Sequence, residues 1–293
     1  TKAEAFKRGA NDYIVKLPDA LELIARIRYH SAGFIAAIQR NEAFRMLEAS
    51  ESHLQKELQK AADYVESLLN EPIEGLITTR WSFIPSASLG GDSFGYHWID
   101  EDRFAIYLLD VCGHGVGPAL LSISVINLIR SGFEDPEVIA DPAAVTARLN
   151  DSFQMSDHGG MFFTLFYGVY DRRTNELTYC GGGHPPSLVI SKDGSHVWLD
   201  SQNMVIGAMP GMEPQVDSVK MKPGDRLLVF SDGVFELKMA NGEMWDYDEF
   251  KEFISRPIAV EDDRIAELTA KGRLLMESDQ FEDDVSILEV DFQ

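Results

Sequence analysis

The chain has only two cysteines in 293 residues, Cys112 and Cys180, and no CxxC pair. That argues against a disulfide framework and for a reducing compartment. Cys112, set in a glycine turn, reads as a small buried filler rather than a redox centre. No apolar run approaches the length needed to span a membrane, and the opening residues TKAEAFKRGA hold no signal-peptide core, so a cytoplasmic protein is expected. Positive charge is scarce: 26 lysines and arginines face 48 acids, for a net charge of −22. Such a balance argues against nucleic acid or an anionic membrane as the main partner. What remains is an ordinary soluble composition, 45% hydrophobic and 25% charged, long enough for one large domain with smaller attachments.

Three regions follow one another. Residues 1–34 read as helix, short strand (DYIVK, 12–16) and helix (DALELIARIRYH, 19–30). Residues 35–72 form a helical linker. Within it, from 40 to 70, Phe44, Glu51, Leu58 and Val65 fall at one heptad seam position and Leu47, Leu54, Ala61 and Leu68 at the other, with Pro72 closing the run. Seven apolar seam residues out of eight favour a two-stranded coiled coil, hence a homodimer; Glu51 is the flaw. Residues 73–293 turn to short strands: RFAIYLLD, FFTLFYGVYD, NELTYC, SLVIS, RLLVFSD and DVSILEVDF. Helices are expected over GPALLSISVINLIRSG, DPAAVTARLNDSF, 246–255 and 261–277. Strands apolar on both faces need cover on both sides, which gives an α+β sandwich of two mainly antiparallel sheets.

Acids end several of these strands or sit in their glycine turns: Asp92 in GGDSFGY, Asp110 in LLDVCGHG, Asp232 in FSDGV, and Asp283 and Asp284 in FEDDVSIL. Singly, each is an ordinary turn or cap residue. Together at one sheet edge they would repel by several kcal/mol in a low-dielectric setting unless cations neutralise them. All-oxygen ligation without a histidine or thiolate cluster points to Mg²⁺ or Mn²⁺.

The motifs GGDSFGY, LLDVCGHGVGPALL, TYCGGGHPPSLVI, GDRLLVFSDGVFE and FEDDVSILEV resemble, in order and spacing, those of the metal-dependent PPM-type serine/threonine protein phosphatases, above all the SpoIIE-like branch. The resemblance covers about residues 76–293. It implies a four-layer α-β-β-α sandwich, two divalent cations (Mn²⁺ or Mg²⁺) and hydrolysis of phosphoserine or phosphothreonine by a water activated between them. Carried over position by position, Asp110 bridges both ions, Asp92 and the Val111 carbonyl complete the second, and Asp232 and Asp283 hold the first. Asp110 and Asp232 are then the catalytic pair. Asp284 supports a ligand rather than touching an ion, with the register between Asp283 and Asp284 left open. His114 and His184 read as caps of glycine turns, with proton transfer by His114 as the alternative. Gly95 stands where the family often has another aspartate that could tune the metal's surroundings.

Residues 1–34 resemble the last part of a response-regulator receiver domain (FKRGANDYIVKLPDALELIARIRYH). Lys16 matches that family's phosphoryl-contacting lysine, but the segment for its phospho-acceptor is absent from this sequence, so Lys16 is assigned no role. Receiver, coiled coil and phosphatase together suggest partner-switching control, with a STAS-type anti-sigma factor antagonist as the substrate the resemblance implies. The competing expectation is a pseudophosphatase, a receiver-gated adaptor that binds without turnover.

Overall fold

The computed structural model describes residues 2–86, 89–131, 135–257 and 263–293. Packing divides the chain into two units, Thr1–Leu58 and Gln59–Gln293.

The first unit holds helix α1 (Lys2–Lys7) and most of helix α2 (Ala20–Glu66). Asp19 starts α2 by accepting the Leu21 and Glu22 amides at 2.8 and 3.3 Å. The strand expected over 12–16 does not form: no strand of this unit is present among the described residues to pair with it. Instead Asp12 accepts from Arg26 at 2.5 Å and lies 2.9 Å from His30. The Arg26 guanidinium, then His30, hold the Asp12 carboxyl down at about 2. The sequence reading splits residues 19–70 into two helices; the structure has one of 47 residues. Gly33, the one helix-weakening residue near the expected break, costs only about 1 kcal/mol against alanine, which the flanking turns carry. The helix ends at Glu66, so Leu68, the last expected seam residue, lies beyond it. No residue of α2 is buried, and Phe44, Leu47 and Leu54 are each more than half exposed.

The second unit is built on two five-stranded sheets whose strand pairings are all antiparallel. One has the order β1 (Ile77–Ile84), β10 (Val285–Phe292), β9 (Arg226–Phe230), β6 (Ser187–Ile190), β7 (His196–Leu199). The other runs β2 (Ser93–Trp98), β3 (Arg103–Val111), β4 (Phe163–Asp171), β5 (Glu176–Gly182), β8 (Asp217–Lys220). Period-two alternation sorts the side chains into layers. Phe104, Ile106 and Leu108 of β3 join Leu227 and Val229 of β9 and Leu288 and Val290 of β10 in the core between the sheets. Ala105, Tyr107, Leu109 and Val111 face the other way, onto α3 (Val116–Ser131) and α5 (Pro142–Ser152). A short helix, α4 (Pro136–Ile139), precedes α5. Leu228, Phe230 and Ile287 pack with α6 (Tyr247–Ser255) and α7 (Arg264–Met276) on the opposite side. Two sheets between two helical layers make the expected four-layer α-β-β-α sandwich. Residues 261 and 262 of the helix expected over 261–277, and residue 132 of that expected over 117–132, lie outside the described residues.

Helix boundaries follow local chemistry. Asp141 caps α5 through the Ala143 amide with Pro142 at the first turn, and Asp246 caps α6 through Asp248 and Glu249. On α3, Ala119, Ser122, Ile126 and Ile129 recur at helical spacing and are buried.

Candidate metal centre

The antiparallel register of β2 and β3 pairs Ser93 with Leu109. One step further, Asp92 stands opposite Asp110. Both share the parity of the inward residues Phe94 and Leu108, so each leaves its strand on the side between the sheets. Asp284 has the parity of Leu288 and Val290 and enters the same space from the other sheet. Asp232 begins a short 3-10 turn directly after β9, and Asp283 precedes β10, the neighbour of β9. Four chain segments thus deliver their acids to one edge of the sandwich.

The acids feel one another. Asp110 is pushed up to about 7, by burial first and then by the charges of Asp232 and Asp283, with the neighbouring Asp92 carboxyl pulling the other way. Asp232 is pushed up to about 6 by burial, Asp283 and Glu236. Asp92, 1% exposed, is raised well above the ordinary carboxylate range by burial, Asp110 and Asp284. Neither Asp92 oxygen has a hydrogen-bond partner, although the Ser286 and Ser231 hydroxyls approach closely enough to favour its charged form. An ionised carboxylate buried this way costs several kcal/mol, so an opposing cation or a proton must neutralise it.

Among the described residues, no three His, Cys, Asp or Glu side chains are gathered closely enough to hold a metal ion in the arrangement seen. The donor chemistry nevertheless fits hard divalent ions: two buried, unpartnered oxygens on Asp92, mutually repelling carboxylates on Asp110, Asp232 and Asp283, and a backbone carbonyl at Val111 beside them. Glycines let these pieces approach. A Cβ on Gly91 would lie 2.6 Å from the Val111 oxygen. Gly113 and Gly115, at φ of +87° and +98°, turn the chain from β3 into α3.

Asp283 and Asp284 differ in surroundings. Asp283 is exposed and adds its charge to both Asp110 and Asp232. Asp284 is 2% exposed and spends its oxygens on the Ser86 and Gly91 amides and the Ser86 hydroxyl. The Asp284 carboxylate is thus committed to the chain on both oxygens, whereas Asp283 accepts the Asp284 amide at 2.8 Å on one.

Other sequence candidates lie apart from these contacts. His184 is buried against Phe166, its Nδ1 2.7 Å from the Pro185 carbonyl, and burial lowers it to about 4. His114 is exposed in the glycine turn. Cys112 accepts the Phe162 amide through its sulfur, and Cys180 is buried beside Asn203. Gly95 points away from the acids: a Cβ there would lie 2.6 Å from the Tyr107 hydroxyl, on the helix-facing side. An aspartate at 95 would therefore not reach the site. Lys16 lies in the other unit. Sequence reasoning missed Glu236, whose charge acts on Asp232 and whose amide donates to the Asp232 carbonyl at 2.8 Å; the i, i+4 spacing is the signal that could have found it. It also missed Ser86, which nothing but the fold brings to Asp284.

A sandwich of this kind is the PP2C-type fold. The SiaA-PP2C domain of Pseudomonas aeruginosa superposes with a TM-score of 0.72 over 84% of this chain and 99% of that one, at 19% identity, a likeness that speaks for the fold alone. The model of the family "Stage II sporulation protein E (SpoIIE)" matches residues 100–293, and the chain belongs to that family. Among its relatives, the phosphoserine phosphatase RsbP of Bacillus subtilis is 29% identical over 209 residues, 70% of this chain and 50% of RsbP. The phosphoserine phosphatase RsbU of the same organism is 28% identical over 214 residues, 72% of this chain and 62% of RsbU. The chain thus spans between half and two thirds of the length of these relatives.

Proposed function

We propose that this chain is a metal-dependent protein phosphatase that hydrolyses phosphoserine or phosphothreonine on a regulatory protein. The observation that carries the reading is Asp92, buried with two unpartnered oxygens directly across from Asp110. Family membership and the names of RsbP and RsbU support it. Asp92, Asp110 and the Val111 carbonyl would hold one divalent ion, Mn²⁺ or Mg²⁺; Asp110, Asp232 and Asp283 would hold the other. Bound there, the ions would make a water nucleophilic at neutral pH and neutralise phosphoryl oxygens, the kind of help a reaction needing up to ~10²¹-fold acceleration requires. The chain's own part is positional. Asp110 stands one residue before the end of β3, directly after the buried run Phe104–Leu109, so its carboxylate is delivered from a rigid support, and the 3-10 turn after β9 does the same for Asp232.

The finer assignments belong to the same proposal. Residues 1–34 are the end of a receiver-like segment, 35–72 a linker that pairs with a second copy through 40–70, and 73–293 the catalytic domain. The substrate is a phosphorylated STAS-type anti-sigma factor antagonist, reached through partner switching. The exposed apolar seam of α2 supports the pairing, and the relatives' names support the substrate class. Hydrolysis of an aryl phosphate tests the core of the reading. Mn²⁺ should activate it, EDTA abolish it, and Asp110→Ala and Asp232→Ala each reduce it at least a hundredfold. Full metal-dependent activity in Asp110→Ala would overturn the assignment.

A further inference from the structure

Asp284 neighbours a proposed ligand yet turns inward, and its bonds run to a different part of the chain. One oxygen accepts the Ser86 amide at 2.7 Å and the Ser86 hydroxyl at 3.0 Å; the other accepts the Gly91 amide at 2.6 Å. Gly91 immediately precedes Asp92. The described parts of this β1–β2 connection are gripped from the other side as well. The Leu89 carbonyl accepts the Gly115 amide at 3.0 Å, and a Cβ on Gly91 would meet the carbonyls of Val111 and Gly113 at 2.6 and 3.0 Å. A Cβ on Gly90 would lie 2.7 Å from the Asp284 carboxylate itself. Asp284 is in turn fixed from behind, its carbonyl accepting the Ser231 hydroxyl at 3.1 Å, one residue before Asp232.

From this geometry we infer that Asp284 is a positioning residue: a brace whose two carboxylate oxygens hold the β1–β2 connection, and so set Asp92 and the Val111 carbonyl at a fixed spacing from Asp232 and Asp283. The inference rests on the metal-site reading above and says what Asp284 holds: Ser86 and Gly91, on the chain segment that leads into Asp92. Three donors meet two acceptor oxygens, so the charge and symmetry of a carboxylate are required. Asparagine offers one acceptor oxygen and sets its NH₂ against an amide N–H, which breaks one arm while keeping the size of the side chain. Partners that orient metal ligands typically control affinity by 10–100-fold.

The test uses the full chain and its Asp284→Asn and Asp283→Asn variants. Amide exchange of Gly91 is followed by NMR in EDTA, and Mn²⁺ binding by calorimetry. In Asp284→Asn, Gly91 exchange should rise at least tenfold while amides in the centres of β3 and β9 stay protected. The number of bound Mn²⁺ ions should be unchanged, with affinity about 10–100-fold weaker. In Asp283→Asn, Gly91 should stay protected while an ion is lost. Unchanged Gly91 exchange in Asp284→Asn overturns the brace, as does loss of an ion from that variant, which would make Asp284 a ligand. Absence of Mn²⁺ binding by the unaltered chain instead overturns the metal-site reading, and the brace's role with it. Asp284→Ser, which removes both arms with little bulk, repeats the measurement if Asp284→Asn does not fold; wild-type Gly91 exchange there also overturns the brace.

Discussion

Asp92 and Asp110 stand opposite one another at the end of the β2–β3 ladder, one step past the Ser93–Leu109 pair, on the side that faces the second sheet. Their opposition, with Asp232 and Asp283 adding charge from β9 and β10, makes metal binding a contest with protons. Asp110 at about 7 and Asp232 at about 6 both hold protons more tightly in the folded chain than in the unfolded one. By themselves they favour folding below about pH 4, and that contribution is lost as pH rises through 6 and 7. Mn²⁺ displaces those protons, so its apparent affinity should fall at least about tenfold between pH 8 and pH 6, with proton release on binding. Calorimetry in two buffers of different ionisation enthalpy measures both quantities. A pH-independent affinity would show that these carboxylates are not the ligands.

Much of this edge is legible in the sequence because β3 and β9 are apolar runs that lead into acids and β10 is one that follows a pair of them. The run FAIYLL cannot be solvated on either face, so its end marks where a buried strand meets the surface. The weaker strands carry no such signal. β1 (ITTRWSFI) and β8 (DSVK) have polar residues on exposed faces, and pairing, with β10 and β5 respectively, is what makes them strands. DYIVK shows the converse: it has strand composition, but no strand of its unit is described beside it. Ser86 was invisible for another reason. Its bond to Asp284 spans 198 residues, and only the antiparallel pairing of β1 with β10 brings the two together.

His184 supplies a pH dependence of the opposite sign. Its ring is buried against Phe166 with Nε2 unpartnered, and burial lowers it to about 4 from an ordinary 6.5. The unfolded chain therefore takes up a proton that the folded chain refuses. This contribution is complete above pH 6.5 and lost as pH falls towards 4, amounting to roughly 2 kcal/mol between pH 7 and pH 5. Urea unfolding of the unaltered chain and His184→Gln at both pH values isolates it, since the carboxylates titrate alike in both. An identical pH dependence in the two proteins would mean that His184 charges within the fold.

The seam of α2 makes a separate prediction about assembly. Leu54 is 62% exposed in the single chain, and Phe44 and Leu47 lie on the same stripe. Burying each such side chain against a second copy contributes about 1.5–3 kcal/mol. Light scattering on the full chain should report two copies, and Leu54→Glu with Leu58→Glu should report one. The double variant should keep its far-ultraviolet circular dichroism from the sheets. A single-copy mass for the unaltered chain at tens of micromolar would remove the pairing.

Gly95 allows the fold's tolerance to be measured beside the site without touching a ligand. An added Cβ would lie within 2.7 Å of three atoms of Tyr107. That ring is held by stacking on Tyr167, with centroids 6.0 Å apart, and by the Arg130 Nε–H donating to its hydroxyl at 3.3 Å. Being fully buried, it has nowhere to swing. Gly95→Ala should therefore cost about 1–3 kcal/mol by overpacking. Gly95→Asp should cost more, because its larger side chain must displace the Tyr107 ring further. Neither should strengthen Mn²⁺ binding, since the side chain would project towards α3 rather than towards Asp92. Urea unfolding gives the cost and calorimetry the affinity. If Gly95→Asp bound Mn²⁺ more tightly, β2 would have to carry residue 95 on the opposite face, which would also turn Asp92 away from Asp110.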